Sequence, residues 1–470
     1  LSCEPETLTD YQAYMKASPS RSLLVLNGSA ESISAIDSET GTVYNNIQTV
    51  GHSGTNNAIP SDILIQDDTI YVVLSGQNSI ESYNAESLDY VDDGRHYFEN
   101  GYNPMCFIPV DGTSWIFCAG FETDELQAVN LSEPETDYSF LSCFEDVSIS
   151  SDANDETQVS STLKNAVGDN HSRCATGGAV LSDGSSSRLY VSNVRYDASI
   201  LMTESDGSLA EYPADSGRYV QAPGYFREAT ISIFSFNADA MADGASDSDL
   251  SFSLVKEIDL ESLFYAAAGS SFGTGSYFPG NGLNPQSVFI LGDRLNVICT
   301  GTNGGSAKYY SDSEYIPDGY SSGDEKPGTN SDDGVIIVLD ISDPDSPSVL
   351  TWLNIGGSPS GFRNAIDDSR GVVYLAGVGG IQSYSYGSES SDYSVLHSSS
   401  DFILEADNSE SDYYSGLYYD SDDNLLYISF YSGDSVKTIS VAGDSSPYNY
   451  SESSSYSVGD GPGALGFLEK

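Results

Sequence analysis

One short phrase recurs along the chain: an Asn-Pro or Gly-x-x-Pro element, an apolar run, a turn of Asp or Gly, and a second apolar run. It is clearest at Asn103-Pro104, Asp111-Gly112 and the run Trp115-Ile116-Phe117-Cys118. It returns at Asn284-Pro285, Gly292-Asp293 and 295–299, and again at Ser358-Pro359, Asp367-Asp368 and 372–375. The interval is about 45 to 80 residues, the length of one multi-stranded unit. A unit of that size cannot bury its own apolar face alone and must stack on its neighbours.

Between the copies, strand runs alternate with turn signals. They group as 23–26 with 32–37; 63–66, 70–74 and 79–83; 105–110, 115–119 and 126–131; 179–182, 188–193 and 230–236; 287–291, 295–300 and 335–341; 361–366, 372–376 and 381–386; and 417–420, 425–430 and 436–441. The last copy, Val458-Gly459-Asp460-Gly461-Pro462 followed by 464–468, has a first strand and no second, whereas the first group lacks its opening strand. A C-terminal strand that completes the N-terminal group closes a ring and removes exposed sheet edges. The expected fold is therefore all-β: a seven-bladed β-propeller over residues 22–470, closed by its C-terminal strand. Residues 1–21 read as a leader with a short helix at 5–17, acidic early and with Lys16 late, as the helix dipole prefers. Four insertions rich in Ser, Gly, Asp and Tyr interrupt the pattern at about 132–176, 196–228, 238–283 and 303–333. Loops of that length commonly carry function or form interfaces.

Two stretches carry a family resemblance. Ile70-Tyr71-Val72-Val73, through Asn78-Ser79-Ile80 to Tyr83-Asn84, resembles the YVTN-type repeat. Residues 335–347, reading Val-Ile-Ile-Val-Leu-Asp-Ile-Ser-Asp-Pro-Asp-Ser-Pro, resemble the related LVIVD type. The resemblance extends over nearly the whole chain after residue 21. It implies a seven-bladed propeller of the secreted or cell-surface kind. That family hosts lactonases, electron-transfer partners and pure binding scaffolds, so the resemblance points to fold more than to function.

Charge and cysteine usage narrow the classes. With 17 basic against 70 acidic residues the net charge is −53. Nucleic acid, which requires a basic footprint, is excluded as a partner, and anionic membrane surfaces are disfavoured. Acidity on this scale fits salty or divalent-rich water or a calcium-loaded extracellular protein, beside the plainer reading of a soluble acidic surface. No apolar run approaches a membrane span. The six cysteines form no C-x-x-C pattern, which argues against c-type haem and zinc ribbons. Their wide spacing suits a secreted protein with disulfides. Cys143 with Cys174 would staple the first insertion. Cys106 with Cys118 would bridge the Asp111-Gly112 hairpin if the register sets them opposite. Cys3 with Cys299 would tie down the leader. The alternative for each pair is buried free thiols. Leu1-Ser2-Cys3 resembles the end of a lipoprotein signal, but lipid anchoring at Cys3 ranks below a disulfide there.

Motifs for chemistry are sparse, and no catalytic residue is assigned. Gly319-Tyr320-Ser321-Ser322-Gly323 matches G-x-S-x-G, but no strand precedes it and no helix follows, so the nucleophile elbow is missing. His52, His96, His171 and His397 show no metal-ligand spacing. His52 and His96 lie in linkers able to reach a central channel. Calcium, which takes six to eight oxygens, has candidate ligands in Asp247 and Asp249, in Asp332 and Asp333, and in Asp420, Asp422 and Asp423, the last better explained as turn chemistry. No other cofactor is implied. The 33 tyrosines, many beside Ser and Gly, suit adaptable contact with protein or glycan, and equally suit propeller strands with one wet edge. The expected function is an extracellular, non-catalytic scaffold that binds protein partners or assembles with copies of itself. The alternative is a lactonase-like hydrolase with acids and an Arg at the channel mouth; a redox role ranks third.

Overall fold

The computed structural model describes residues 8–52, 57–91, 94–98, 101–121, 126–132, 140–142, 175–194, 196–201, 221–226, 229–242, 251–268, 283–301, 321–322, 334–408, 412–443 and 448–470. They form seven blades in a ring, a seven-bladed β-propeller. Each blade is an antiparallel sheet whose strands A to D follow chain order, with one exception. Blade 1 comprises Arg21–Asn27, Ser32–Asp37 and Val43–Thr49, and its A strand is the C-terminal Pro462–Glu469. Arg21 pairs with Glu469, and the ladder runs to Asn27 opposite Pro462. The expected closure is thus the observed one.

Blade 2 is Pro60–Gln66, Thr69–Leu74, Ser79–Asn84 and His96–Tyr97, and blade 3 is Pro104–Pro109, Trp115–Gly120, Leu126–Asn130 and Phe140–Ser142. Blade 4 is Ala175–Leu181, Ser187–Asn193, Thr230–Phe236 and Ser253–Asp259; blade 5 is Pro285–Leu291, Arg294–Cys299, Val335–Asp340 and Ser348–Asn354. Blade 6 is Ser358–Asp367, Val372–Val378, Gly380–Ser385 and Ser394–His397, with Leu404–Glu405 also pairing on its third strand. Blade 7 is Tyr414–Asp420, Leu425–Phe430, Ser435–Ala442 and Asn449–Ser457. By contacts the chain forms two compact units. One holds Leu1–Ala119, Gln127–Leu141 and Pro359–Lys470; the other holds Gly120–Leu126 and Ser142–Ser358.

Strands B and C are covered on both faces, so they read as continuous apolar runs rather than alternating ones. Ile70 to Leu74 and Val335 to Leu339 are all buried. In the first unit Leu24, Ile33, Ile63, Val72 and Tyr83 share one core cluster; in the second, Ile231, Ile233, Leu295, Val297 and Ile337 do. The residue that ends strand C is repeatedly Asn or Asp, because its side chain caps the next turn. Asn84 Oδ1 accepts the N–H of Glu86 and Ser87 (3.0 and 2.8 Å), Asp37 that of Glu39 (2.9 Å) and Asp340 that of Ser342 (2.9 Å). This is the physical content of the Tyr83-Asn84 and Leu339-Asp340 parts of the repeat.

The leader helix spans Asp10–Ala17, with Thr9 and Gln12 forming a capping box and Ser18 ending it in the left-handed region. Tyr14 is fully buried, edge-on to Tyr44 at 5.5 Å, and the Asp10 carboxylate accepts the N–H of Asn45 at 2.8 Å. The helix therefore covers the outer strand of blade 1. The expectation that all later structure is β misses helices Ala238–Ala242 and Leu260–Ala268 in the third insertion. The second insertion, read as loop, contains a strand pair, Tyr196–Leu201 with Gln221–Phe226.

Candidate functional site

Functional loops on a propeller are positioned by the rim where strands B end and strands A begin. In blades 1, 2 and 7 the B–C turn ends on Glu31, Asn78 or Asp434, each with a positive φ (49°, 49° and 47°). Each backbone carbonyl there accepts the N–H that leaves the outer strand: Val50 (2.9 Å), Phe98 (2.8 Å) and Val458 (3.0 Å). Each side-chain oxygen accepts an N–H just ahead of the next A strand: Ala58 (2.6 Å), Asn103 (2.7 Å) and Gly461 (3.0 Å). Proline, which opens that strand, has no N–H to give, so the residues before it make the anchoring bonds. A hydroxyl at the next position ties neighbouring A strands. Ser61 donates to the Pro104 carbonyl (3.3 Å), Ser415 to that of Pro462 (2.6 Å) and, in the second unit, Thr176 to that of Pro285 (2.7 Å). A bulge follows each of these residues' strand openings, and it turns the hydroxyl toward the neighbour.

Blade 2 adds a charged hub. Glu81 is fully buried, and its carboxylate accepts the N–H of Gly51 and His52 (both 2.8 Å) and the Tyr83 hydroxyl (2.6 Å). Arg95 Nη1 lies 3.2 Å away, and Arg95 Nη2 donates to Gln77 and Ser79. The guanidinium sits 4.7 Å from the ring centre of Tyr97, which is 61% exposed. His52 stacks on Tyr90 at 4.5 Å with its Nδ1 3.6 Å from Glu81. Burial, and then the Glu81 charge, push the Tyr83 phenol upward. Sequence reading missed Glu81 and Arg95. The available signal was a lone carboxylate in the middle of the expected strand 79–83.

Other expected residues fall elsewhere. His96 is buried edge-on to Phe98, 3.4 Å from Gln127, and desolvation depresses its pKa to about 4. His397 contacts Tyr450 and Asp401 near the outer side of blade 6. Asp420, Asp422 and Asp423 surround a protein cation: Arg21 contacts them at 3.1, 3.6 and 3.3 Å and Glu469 at 3.3 Å. Ser321 is exposed, outside any strand or helix, and the rest of its motif lies outside the described residues. So do His171, Asp247, Asp249, Asp332, Asp333, Cys3, Cys143 and Cys174. No disulfide joins Cys106 to Cys118, and Cys118 and Cys299 are buried free thiols, so the two pairings that involve them are corrected. Burial raises all three thiols, Cys106 to about 12, and keeps them in the unreactive protonated form. Among the described residues no group of three or more His, Cys, Asp or Glu is placed to hold a metal, and no helix is long and apolar enough to cross a membrane.

In the second unit the corresponding strand ends carry the long connections. Ala175, Asn193, Thr230 and Asp259 lie in one register line across blade 4, as do Pro285, Cys299, Val335 and Asn354 across blade 5. Connections 194–229, 260–284 and 300–334, and the segment that enters at Ala175, all leave or return along these lines. The bases are pinned. Asn284 Nδ2 donates to Thr300 (2.8 Å) and to the Gly301 carbonyl (3.1 Å), and the Gly334 carbonyl accepts from Ile355 and Gly356.

No family model and no curated protein matches the chain. Solved structures do. A candidate 6-phosphogluconolactonase from Bacteroides fragilis is 10% identical, with 96% of this chain and 98% of that one covered and a TM-score of 0.52. A second, from Bacteroides uniformis, is 10% identical with 96% and 100% covered and a TM-score of 0.50. At such identity the likeness is one of fold, and it agrees with the seven-bladed ring.

Proposed function

We propose that the chain is an extracellular, non-catalytic β-propeller of the YVTN/LVIVD kind that presents a binding face to protein partners or to copies of itself. One observation carries this reading: three long Ser-, Gly- and Tyr-rich connections of blades 4 and 5, at 194–229, 260–284 and 300–334, depart from one rim, on strand ends pinned by their own hydrogen bonds. A rigid base under variable loops is the usual anatomy of a recognition surface. The extreme acidity adds a cation requirement; calcium at Asp332 or Asp333 would meet it within those connections, and calcium at Asp247 or Asp249 within the separate 237–252 connection of blade 4. Glycans are the second ligand class suited to such loops.

The hydrolase alternative finds a convergent Glu81, His52 and Arg95 at the rim of blade 2. Glu81, however, is fully buried and already takes three hydrogen bonds and an ion pair, which leaves its carboxylate closed to substrate. Negative-stain microscopy and partner capture, with and without EDTA, test the binding reading on the wild type and on a variant with 302–333 replaced by a short Gly-Ser linker. Capture or assembly lost in the variant, with folding intact, is the expected result. Lactone hydrolysis abolished by His52→Ala would overturn it.

A further inference from the structure

Seven outer strands end the seven sheets, and six are protected against pairing with another chain. Those of blades 2, 3 and 6 have only two, three and four residues. Helix Asp10–Ala17 covers that of blade 1. Helix Leu260–Ala268 packs on that of blade 5, with Phe264 edge-on to Trp352 at 5.7 Å. That of blade 4 carries Lys256, Glu257 and Asp259. Short strands, covering elements and edge charges are the devices by which sheets avoid edge-to-edge association.

Blade 7 is different. Its outer strand, Asn449–Ser457, is nine residues long, has no proline and carries one charge, Glu452. Its inner side pairs with Ser435–Ala442 along the whole length, with a single bulge at Ser453. Among the described residues no strand continues the sheet beyond it. The strand is firmly held: Tyr450 lies edge-on to Tyr374 at 6.2 Å and to His397 at 5.2 Å, and Tyr456 packs on the cluster of Val436 and Tyr427. An ordered strand with open N–H and C=O groups is a template for another strand.

We propose that this edge joins two copies of the chain, outer strand to outer strand and antiparallel about a two-fold axis, so that two blade 7 sheets run on as one. The occupant follows from charge. At −53, almost any contact between copies brings acid against acid. This strip offers one carboxylate in nine residues, and a two-fold contact sets one such strip against another. The two Glu452 side chains supply the residual repulsion, which salt screens. The inference rests on the self-assembly arm of the proposed function and names its surface.

Sedimentation equilibrium on the full chain, from low to high micromolar concentration in dilute and in molar salt, tests it. A dimer strengthened by salt is expected. Ser451→Glu with Ser455→Glu, both exposed positions, should weaken it by about tenfold or more at unchanged melting temperature, and Glu452→Gln should tighten it about threefold. A chain that stays monomeric throughout overturns the proposal. So does a dimer indifferent to the double variant. If that dimer instead disappears when 302–333 is replaced, the edge contact fails while the binding face of blades 4 and 5 stands.

Discussion

The rim of blades 1, 2 and 7 and the rim of blades 4 and 5 are built on the same strand ends and solve different problems. In the first, a turn residue with positive φ reaches across and caps the donor ahead of the next proline, so the connection is short and closed by side chains. In the second, the strand ends are tied to their own blade, Asn284 to Thr300 and Gly334 to Ile355. The span between can then lengthen without loosening the sheet. The repeat supplies the ring, and departures from it supply a surface free to vary.

The comparison breaks most sharply at Glu81. Glu81→Ala would strand Arg95 as a buried, uncompensated cation and free the N–H groups of Gly51 and His52. Denaturant melts should show a loss of about 3–5 kcal/mol. Replacing 302–333 should cost less than about 1 kcal/mol, since loop-closure entropy changes slowly with length. A large loss there would mean that the second rim also depends on its connections.

Next comes pH. His96 has a folded pKa depressed to about 4 against about 6.5 unfolded, so the unfolded chain binds the proton first. The stability that neutral His96 allows is complete above about pH 6.5 and is lost as pH falls toward 4, in total about 3 kcal/mol. His96→Gln should flatten melting curves over that window; an unchanged slope would place the pH dependence elsewhere.

Asn78→Ala and Asp434→Ala should each cost about 1–2 kcal/mol through a lost cap and a left-handed backbone that Ala tolerates poorly, read as a shift of the denaturation midpoint. The smallest effect has the opposite sign. Ile59 holds φ 47° at the position where other blades have Asn103, Asn284 or Gly461, and it is 54% exposed. Ile59→Asn should raise stability by about 1 kcal/mol; a loss instead would show that the side chain's contact with Gly76 outweighs backbone strain.

Much of this was legible in the chain. Apolar runs such as 70–74 and 335–339 mark strands because both faces of strands B and C are covered, and the half-unit at 462–468 announces the closure with Arg21–Asn27. The charged contacts were not legible. Arg21 meets Asp420 across some four hundred residues, and Glu81 and Arg95 meet only because the His96–Tyr97 strand folds back on Ser79–Asn84. Helix Leu260–Ala268 was hidden in a stretch whose flanks read as loop, and its docking on Trp352 depends on the next blade. Cys118 and Cys299 are buried free thiols for the same reason: spacing along a chain says nothing of whether two sulfurs face each other.

By itself the sequence determined the period, the number of blades and the closure, because local hydrophobic runs and turn residues act within one unit and are repeated by the next. Which acids are paired, which outer strand is left open, and which rim carries the long connections were decided only by tertiary structure. Those properties depend on neighbours that are distant in sequence, and no local pattern encodes them.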